Sequence, residues 1–433
     1  MKKLLASFLK GYVGFFVVAV AVTVLFFSLH LPFLPATSWS GHDSEWYIKI
    51  AEGKIGEVMH PFSSRFLYPL IAGVLDVYVF HDITAAFFVL AAFSLVLFFV
   101  MNAVVLKKAL QWPILLIPLF ALPYFSEMLR EFFVLDIFYL FLTALFFLLL
   151  FYDREKLSLV VLFLLFLTRE STILLALVLI IAGIFRSKKL FSAATAVVTM
   201  LSLYVINIVG AVGTPNMHNL SPVVHTFFKL PYNFLANALG IRLWVNGYHF
   251  CAPVFTVPLP SFSFLGNMRE IGFCNFDISF PIGTTIILLT VFGILPLLLF
   301  SIFWKKRTRI LQQIPFWLLI ALGYGVLHYF IGVPAGTGVL RIVGYGWPAF
   351  LLAVPFLMRR FFAIDGVSVF RLSLIQLFVA WFPLFIFGSS NYMGSSGSAL
   401  WSLVLILLVV LAAYGYALRI LRNVSIVDQG SAV

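Results

Sequence analysis

The residues with the most chemistry for their length lie in one polar stretch near the start of the chain. It reads Trp39-Ser-Gly-His42-Asp43-Ser44-Glu45-Trp46-Tyr47-Ile-Lys49, followed by Pro61-Phe-Ser-Ser-Arg65-Phe-Leu-Tyr-Pro-Leu70. Asp43 and Glu45 are carboxylates able to take a proton from a hydroxyl. Arg65 carries a planar guanidinium that can hold a phosphate or carboxylate through two parallel hydrogen bonds. More such groups follow: Glu127, Arg130, Glu131 and Asp136, then Thr168-Arg169-Glu170, His328 and Arg341. Glu127 and Glu131 are one helical turn apart and share a face.

Each of these also has a structural reading. Ser40-x-x-Asp43 fits a capping box, and Glu45 is an i,i+4 partner for Lys49. An arginine at the end of a span can anchor at lipid headgroups. Glu127, Glu131 and Asp136 can form an ion network with Arg130. A lone His328 in an apolar segment is most often a hydrogen-bonded packing residue. No GxGxxG, P-loop, G-x-S-x-G or Cys/His zinc spacing is present.

What must position these groups is set by composition. Of 433 residues, 63% are hydrophobic and only 10% charged, far from the balance of a soluble domain. The mean hydropathy of +1.10 makes the bilayer the solvent and excludes a cytosolic enzyme, a disordered chain or a disulfide-stapled secreted domain. Apolar runs predict an all-α, polytopic membrane bundle forming a single transmembrane domain over 1–433. About twelve spans are expected, near 11–31, 83–106, 112–125, 136–152, 157–168, 171–185, 190–212, 281–304, 310–331, 343–358, 372–387 and 399–418. The stretch 39–80 is too polar to span. Trp46, Tyr47, Ile50 and Ala51 give it an interfacial helix running from Asp43 to Gly53, and 66–80 a second one.

Charge sets the direction. With Lys2, Lys3 and Lys10 inside and a break at Thr168–Ser171, 19 of the 28 basic residues fall in short inner connections, and 12 of the 16 acids fall outside. The net charge of +12 is therefore an insertion signal, and nucleic acid is not an expected partner. Both termini are expected to be cytoplasmic. The chemistry then belongs on the outer face, which also holds the long loop 213–280. Cys251 and Cys274 share that loop, which suggests a disulfide; two buried free thiols are the alternative. Gly394–Ser398 reads as a short connector.

The segment His42-Asp43-Ser44-Glu45-Trp46-Tyr47, the helix opening Arg65-Phe-Leu-Tyr-Pro-Leu70, the Glu127/Arg130/Glu131/Asp136 turn, Thr168-Arg169-Glu170 and Arg341 before Trp347-Pro348 together resemble the GT-C superfamily of membrane glycosyltransferases. The first half of the chain carries the likeness well and the last third weakly. Relatives often have Lys-Glu where this chain has Arg169-Glu170.

The resemblance implies an inverting transfer of a sugar from a polyprenyl-phosphate donor to a hydroxyl of a glycolipid, glycan or protein, in a bacterial inner membrane. Asp43 is then the expected base and Glu45 its helper. His42, Tyr47, Arg65, Glu127, Arg130, Glu131, Arg169, Glu170, His328 and Arg341 are the expected substrate-binding set, with Arg341 and Arg169 favoured for the phosphate. No cofactor is required, and a divalent metal is permitted. A transporter or flippase of a lipid-linked sugar and an O-antigen-type polymerase or ligase remain alternatives. Inverted repeats and mid-depth charges would mark the transporter. An outer loop dominated by arginine would mark the ligase.

Overall fold

In hydrocarbon a backbone N–H or C=O has no water to bond, so a chain this apolar has to satisfy its backbone internally, as helices do. The computed structural model describes residues 12–30, 43–214, 222–245, 251–261, 268–306, 309–336, 338–387, 397–422 and 425–426. Lys2, Lys3, Lys10, His42, His218, His249 and most of the 394–398 connector lie outside the described residues, as do the side chains of Arg130 and His225.

The principal helices are α1 (Tyr12–His30), α2 (Asp43–Ala51), α3 (Leu67–Leu75), α4 (Ile83–Leu106), α5 (Pro123–Arg130), α6 (Asp136–Phe151), α7 (Glu155–Thr168), α8 (Ile173–Phe185), α9 (Lys189–Gly210), α10 (Pro222–Leu239), α11 (Ser279–Thr290), α12 (Leu295–Lys306), α13 (Phe316–Ala335), α14 (Val339–Gly344), α15 (Val354–Phe361), α16 (Gly366–Phe387) and α17 (Gly397–Arg422). Among the described residues, six helical segments are long and apolar enough to cross a membrane: Ile83–Leu106, Lys189–Gly210, Phe316–Ala335, Val339–Phe361, Gly366–Ile386 and Leu400–Arg422. A seventh is added if the bent pair α11–α12 counts as one. The twelve expected from hydropathy include shorter pieces: α6, α7 and α8 have 16, 14 and 13 residues. The expected span 112–125 is not continuous. Turns at Pro113–Leu116 and Ile117–Phe120 precede α5, because Pro113, Pro118 and Pro123 each start a new helical piece.

The short helices run back and forth between two chemically distinct ends. At one end Arg186 donates to the carbonyls of Leu311 and Gln312 at 2.9 and 3.1 Å, Lys188 pairs with Glu155, and Arg359 donates to the Lys108 carbonyl. These are the basic connections that the charge count assigned to one side. At the other end lie Asp43, Arg65, Glu131, Asp136, Arg169, Glu170 and Arg341, joined to one another by ion pairs. The break at Thr168–Ser171 is therefore real, with α7 and α8 as separate helices.

Helix α11 meets α12 at 75°. Gly293, with φ of +54°, makes the turn, and a Cβ there would overlap Gln376. The freed backbone groups are repaired by side chains of the last two helices. Gln376 accepts from the Ile294 N–H at 2.7 Å and donates to the Phe292 carbonyl at 3.0 Å. The Tyr414 hydroxyl reaches the carbonyls of Leu289 and Gly293 at 2.7 and 2.8 Å.

The described parts of loop 213–280 hold regular structure that its Pro- and Phe-rich sequence does not suggest. It contributes α10 and a small antiparallel sheet, an addition to the all-α expectation. Strands β1 (Ile241–Val245), β2 (Phe255–Pro258) and β3 (Glu270–Phe276) pair in the order β1-β3-β2. Cys251 and Cys274 form a disulfide that ties β3 to the segment before β2.

Helix α2 packs on the protein by its apolar stripe. Tyr47 and Ile50 are buried, and Trp46 stacks on Phe62 with ring centres 6.2 Å apart. Its last residue crosses α3 at Gly73, where an added Cβ would lie 2.3 Å from the Ala51 carbonyl oxygen. Gly73→Ala is expected to push α2 off α3 and cost about 1–3 kcal/mol, the usual penalty of overpacking. Thermal unfolding of the detergent-solubilised protein checks this against Gly415→Ala, which meets nothing within 4 Å and should be neutral.

Candidate functional site

Asp136 opens the apolar helix α6 and is 2% exposed, so its charge has to be matched inside the protein. Three groups match it. Arg169 Nη1 donates to Oδ1 at 2.7 Å, Arg341 Nε donates to Oδ2 at 2.7 Å, and the Tyr345 hydroxyl also donates to Oδ1. Arg341 and Tyr345 are four residues apart, so one turn of chain starting in α14 brings both. Arg169 comes from the α7–α8 break, donates to the Tyr345 hydroxyl as well, and lies 4.8 Å over that ring. Arg169 is thus held behind Asp136, with all these partners already engaged.

Arg341 faces the other way too. Its Nη1 is 3.5 Å from Asp43 Oδ2 and 3.4 Å from Glu131 Oε2. The side chains of Asp43 and Glu131 are 44% and 53% exposed, against 21% for Arg341. The arginine therefore links one buried carboxylate to two solvent-facing ones, which mark the exposed side, or mouth, of the site. Partial burial pushes the Glu131 carboxyl up against the pull of Arg341, and the nearby charges of Asp136, Asp43 and Glu127 add to the rise.

A second pair flanks the first. Arg65 holds Glu170 through two bonds, with Nε to Oε2 at 2.8 Å, and its Nη1 donates to the Tyr47 hydroxyl at 3.3 Å. Burial pushes the Tyr47 phenol up, with Arg65 opposing. Lys229 of α10 also belongs here. Burial lowers its ammonium, Arg65 adds to the fall, and the charges of Glu170 and Asp43 act against it.

The remaining expected residues fall into place around this cluster. Glu45 pairs with Lys49 along α2 at 3.5 Å, the i,i+4 pairing its spacing allows. Glu127 lies on α5, close enough to Glu131 to raise its carboxyl. The expected ion network rests on the side chain of Arg130, which lies outside the described residues; of its expected members, Asp136 pairs with Arg169 and Arg341, and Glu131 with Arg341. His328 is 1% exposed and stands edge-on to Tyr324 and Tyr345, with ring centres 4.6 and 5.7 Å away. Neither of its ring nitrogens has a hydrogen-bond partner among the described residues. It lines the protein behind the site and is not at its mouth. Among the described residues, no group of three or more His, Cys, Asp or Glu is placed to hold a metal ion.

Sequence reading did not single out Tyr345, Lys229 or the Tyr139–Tyr324 pair, whose hydroxyls meet at 3.0 Å below the ion pairs. Tyr345 had a usable signal, its position one helical turn after Arg341. Lys229 sits in the loop without a motif, and only the fold of α10 brings it in. No family profile, curated protein or solved structure matches the chain.

Proposed function

We propose that this membrane-embedded bundle is an inverting glycosyltransferase of GT-C type, moving a sugar from a polyprenyl phosphate to an acceptor hydroxyl. The observation that carries this reading is Arg341, fixed by the buried Asp136 and reaching Asp43 and Glu131 at the open mouth. A cation for the donor phosphate and a carboxylate for the acceptor proton thus stand side by side at the ends of apolar helices, where a lipid-linked donor arrives. In this reading the short helices α6 to α8 complete a set of about twelve crossings. The basic connections face the cytoplasm, and the cluster faces the periplasm of a bacterial inner membrane.

Asp43 removes the proton as the acceptor oxygen attacks the anomeric carbon. The bond from that carbon to the phosphate oxygen breaks, and its electron pair leaves with the polyprenyl phosphate. Attack opposite the leaving group inverts the anomeric centre. Arg341 neutralises the departing phosphate, while Asp136, Arg169 and Tyr345 keep Arg341 in place. Arg65, Glu170 and Tyr47 hold the α2–α3 wall, and Lys229 adds positive charge beside it. The clustering of these groups at helix ends, away from mid-depth, favours an enzyme over a carrier of lipid-linked sugar.

The test uses the full chain in nanodiscs, a panel of polyprenyl-phosphate hexoses and pentoses, and glycolipid, glycan and protein acceptors. The expected result is transfer from a lipid donor with the opposite anomeric configuration in the product. Equal transfer from nucleotide sugars, or retained configuration, would sink the reading.

A further inference from the structure

The bonds that Arg341 makes are unequal. Its Nε bond reaches the buried Asp136 carboxylate at 2.7 Å, whereas its Nη1 contacts with Asp43 and Glu131 lie at 3.5 and 3.4 Å, outside the 2.7–3.2 Å of a good N–H···O bond. The two loosely held carboxylates are also the exposed ones, so water can solvate them cheaply when the contact breaks. One side of the guanidinium is anchored and the other is exchangeable.

Resting on the glycosyltransferase reading, we propose that Arg341 exchanges anions in each turnover, and that the arrival of the donor releases the base. The donor is a phosphodiester with a single negative charge. It takes the place of the Asp43 carboxylate on Nη1, one monoanion for another, so the guanidinium keeps an anionic partner while Asp43 turns out toward water. Asp43, freed from the guanidinium, turns to the acceptor. Donor therefore binds before acceptor.

The same exchange runs backwards after transfer. Asp43 has taken the acceptor proton, is neutral, and no longer competes for Arg341. When that proton passes through water to the polyprenyl phosphate, which left with a second negative charge, the Asp43 carboxylate again meets a monoanion and displaces it from Nη1. Product release is thus tied to deprotonation of the base. Glu131, on the same nitrogen, acts as a second competitor.

The prediction runs against the usual effect of deleting a site residue. In nanodiscs, Asp43→Asn should bind labelled polyprenyl phosphate more tightly than the native protein, by about two- to fivefold, the range that an exposed ion pair spans. Glu131→Gln should tighten it similarly. Arg341→Gln should weaken it, and adding Asp43→Asn in that background should change nothing further. Neutral polyprenol should bind all variants alike.

Unchanged or weaker binding of polyprenyl phosphate to both Asp43→Asn and Glu131→Gln overturns the exchange, as does an equal gain for polyprenol. The transfer assay separates this from the assignment of the base. Tighter binding with transfer abolished supports both ideas. Tighter binding with transfer intact keeps the exchange and removes Asp43 as base. Lost transfer without tighter binding keeps the base and removes the exchange.

Discussion

Asp43→Asn is expected to lower turnover by about 10²–10⁴-fold, the contribution of a positioned general base, while leaving the fold intact. The two halves of this expectation have separate causes. Asn cannot accept the acceptor proton, so the chemical step loses its base. Its removal costs little stability because Asp43 is 44% exposed and its ion pair among the described residues is a contact of 3.5 Å with Arg341. Exposed pairs of this kind are worth about 0–1 kcal/mol. The measurements are single-turnover transfer with a defined polyprenyl-phosphate sugar and thermal unfolding of the same preparation. Native turnover in the variant would remove Asp43 from the chemistry. A large fall in unfolding temperature would make it a structural residue.

The second large effect is the mirror image. Asp136→Ala should cost about 3–5 kcal/mol of stability, because it strips a buried anion from two guanidiniums at once. Arg341 can swing toward the mouth and recover water, but Arg169, with its side chain 11% exposed, cannot. Asp136→Asn keeps the shape and one acceptor oxygen and should cost less than Ala. Transfer should fall in both variants, since Arg341 loses its anchor. The ordering native, Asn, Ala in unfolding temperature is the check. An Ala variant as stable as the native protein would mean that the cluster is not held together by Asp136.

How much of this was legible beforehand depends on the range of the interaction. Sorting charges by side needs only the order of residues along the chain, and it correctly grouped Arg186, Lys188 and Arg359 at one end and Asp43, Arg169 and Arg341 at the other. The helix starting at Asp43 was legible for the same reason: its stripe of Trp46, Tyr47 and Ile50 is local. The disulfide followed from two cysteines sharing a loop. The span expected at 112–125 failed although its three prolines were in plain view, because hydropathy averages over the breaks that proline makes. The strands in 241–276 were hidden by their neighbours, since loop composition outweighed a short run such as Ile241–Val245. Asp136 was visible as an acid opening an apolar run, but its role was not. Its partners are 33 and 205 residues away, and nothing local distinguishes them from headgroup anchors.

The elbow between α11 and α12 bears on how the molecule is made. A nascent chain enters the membrane from its N-terminus, so the bend around Gly293 is laid down before its repair groups exist. Gln376 lies 82 residues beyond the Ile294 N–H it satisfies, and Tyr414 is 121 residues beyond the Gly293 carbonyl. Until α16 and α17 follow, the opened backbone has to borrow hydrogen bonds from water or from the insertion machinery. Completing the elbow is thus a late step in biogenesis, and a chain halted before Gln376 would leave the translocon with its corner unfinished.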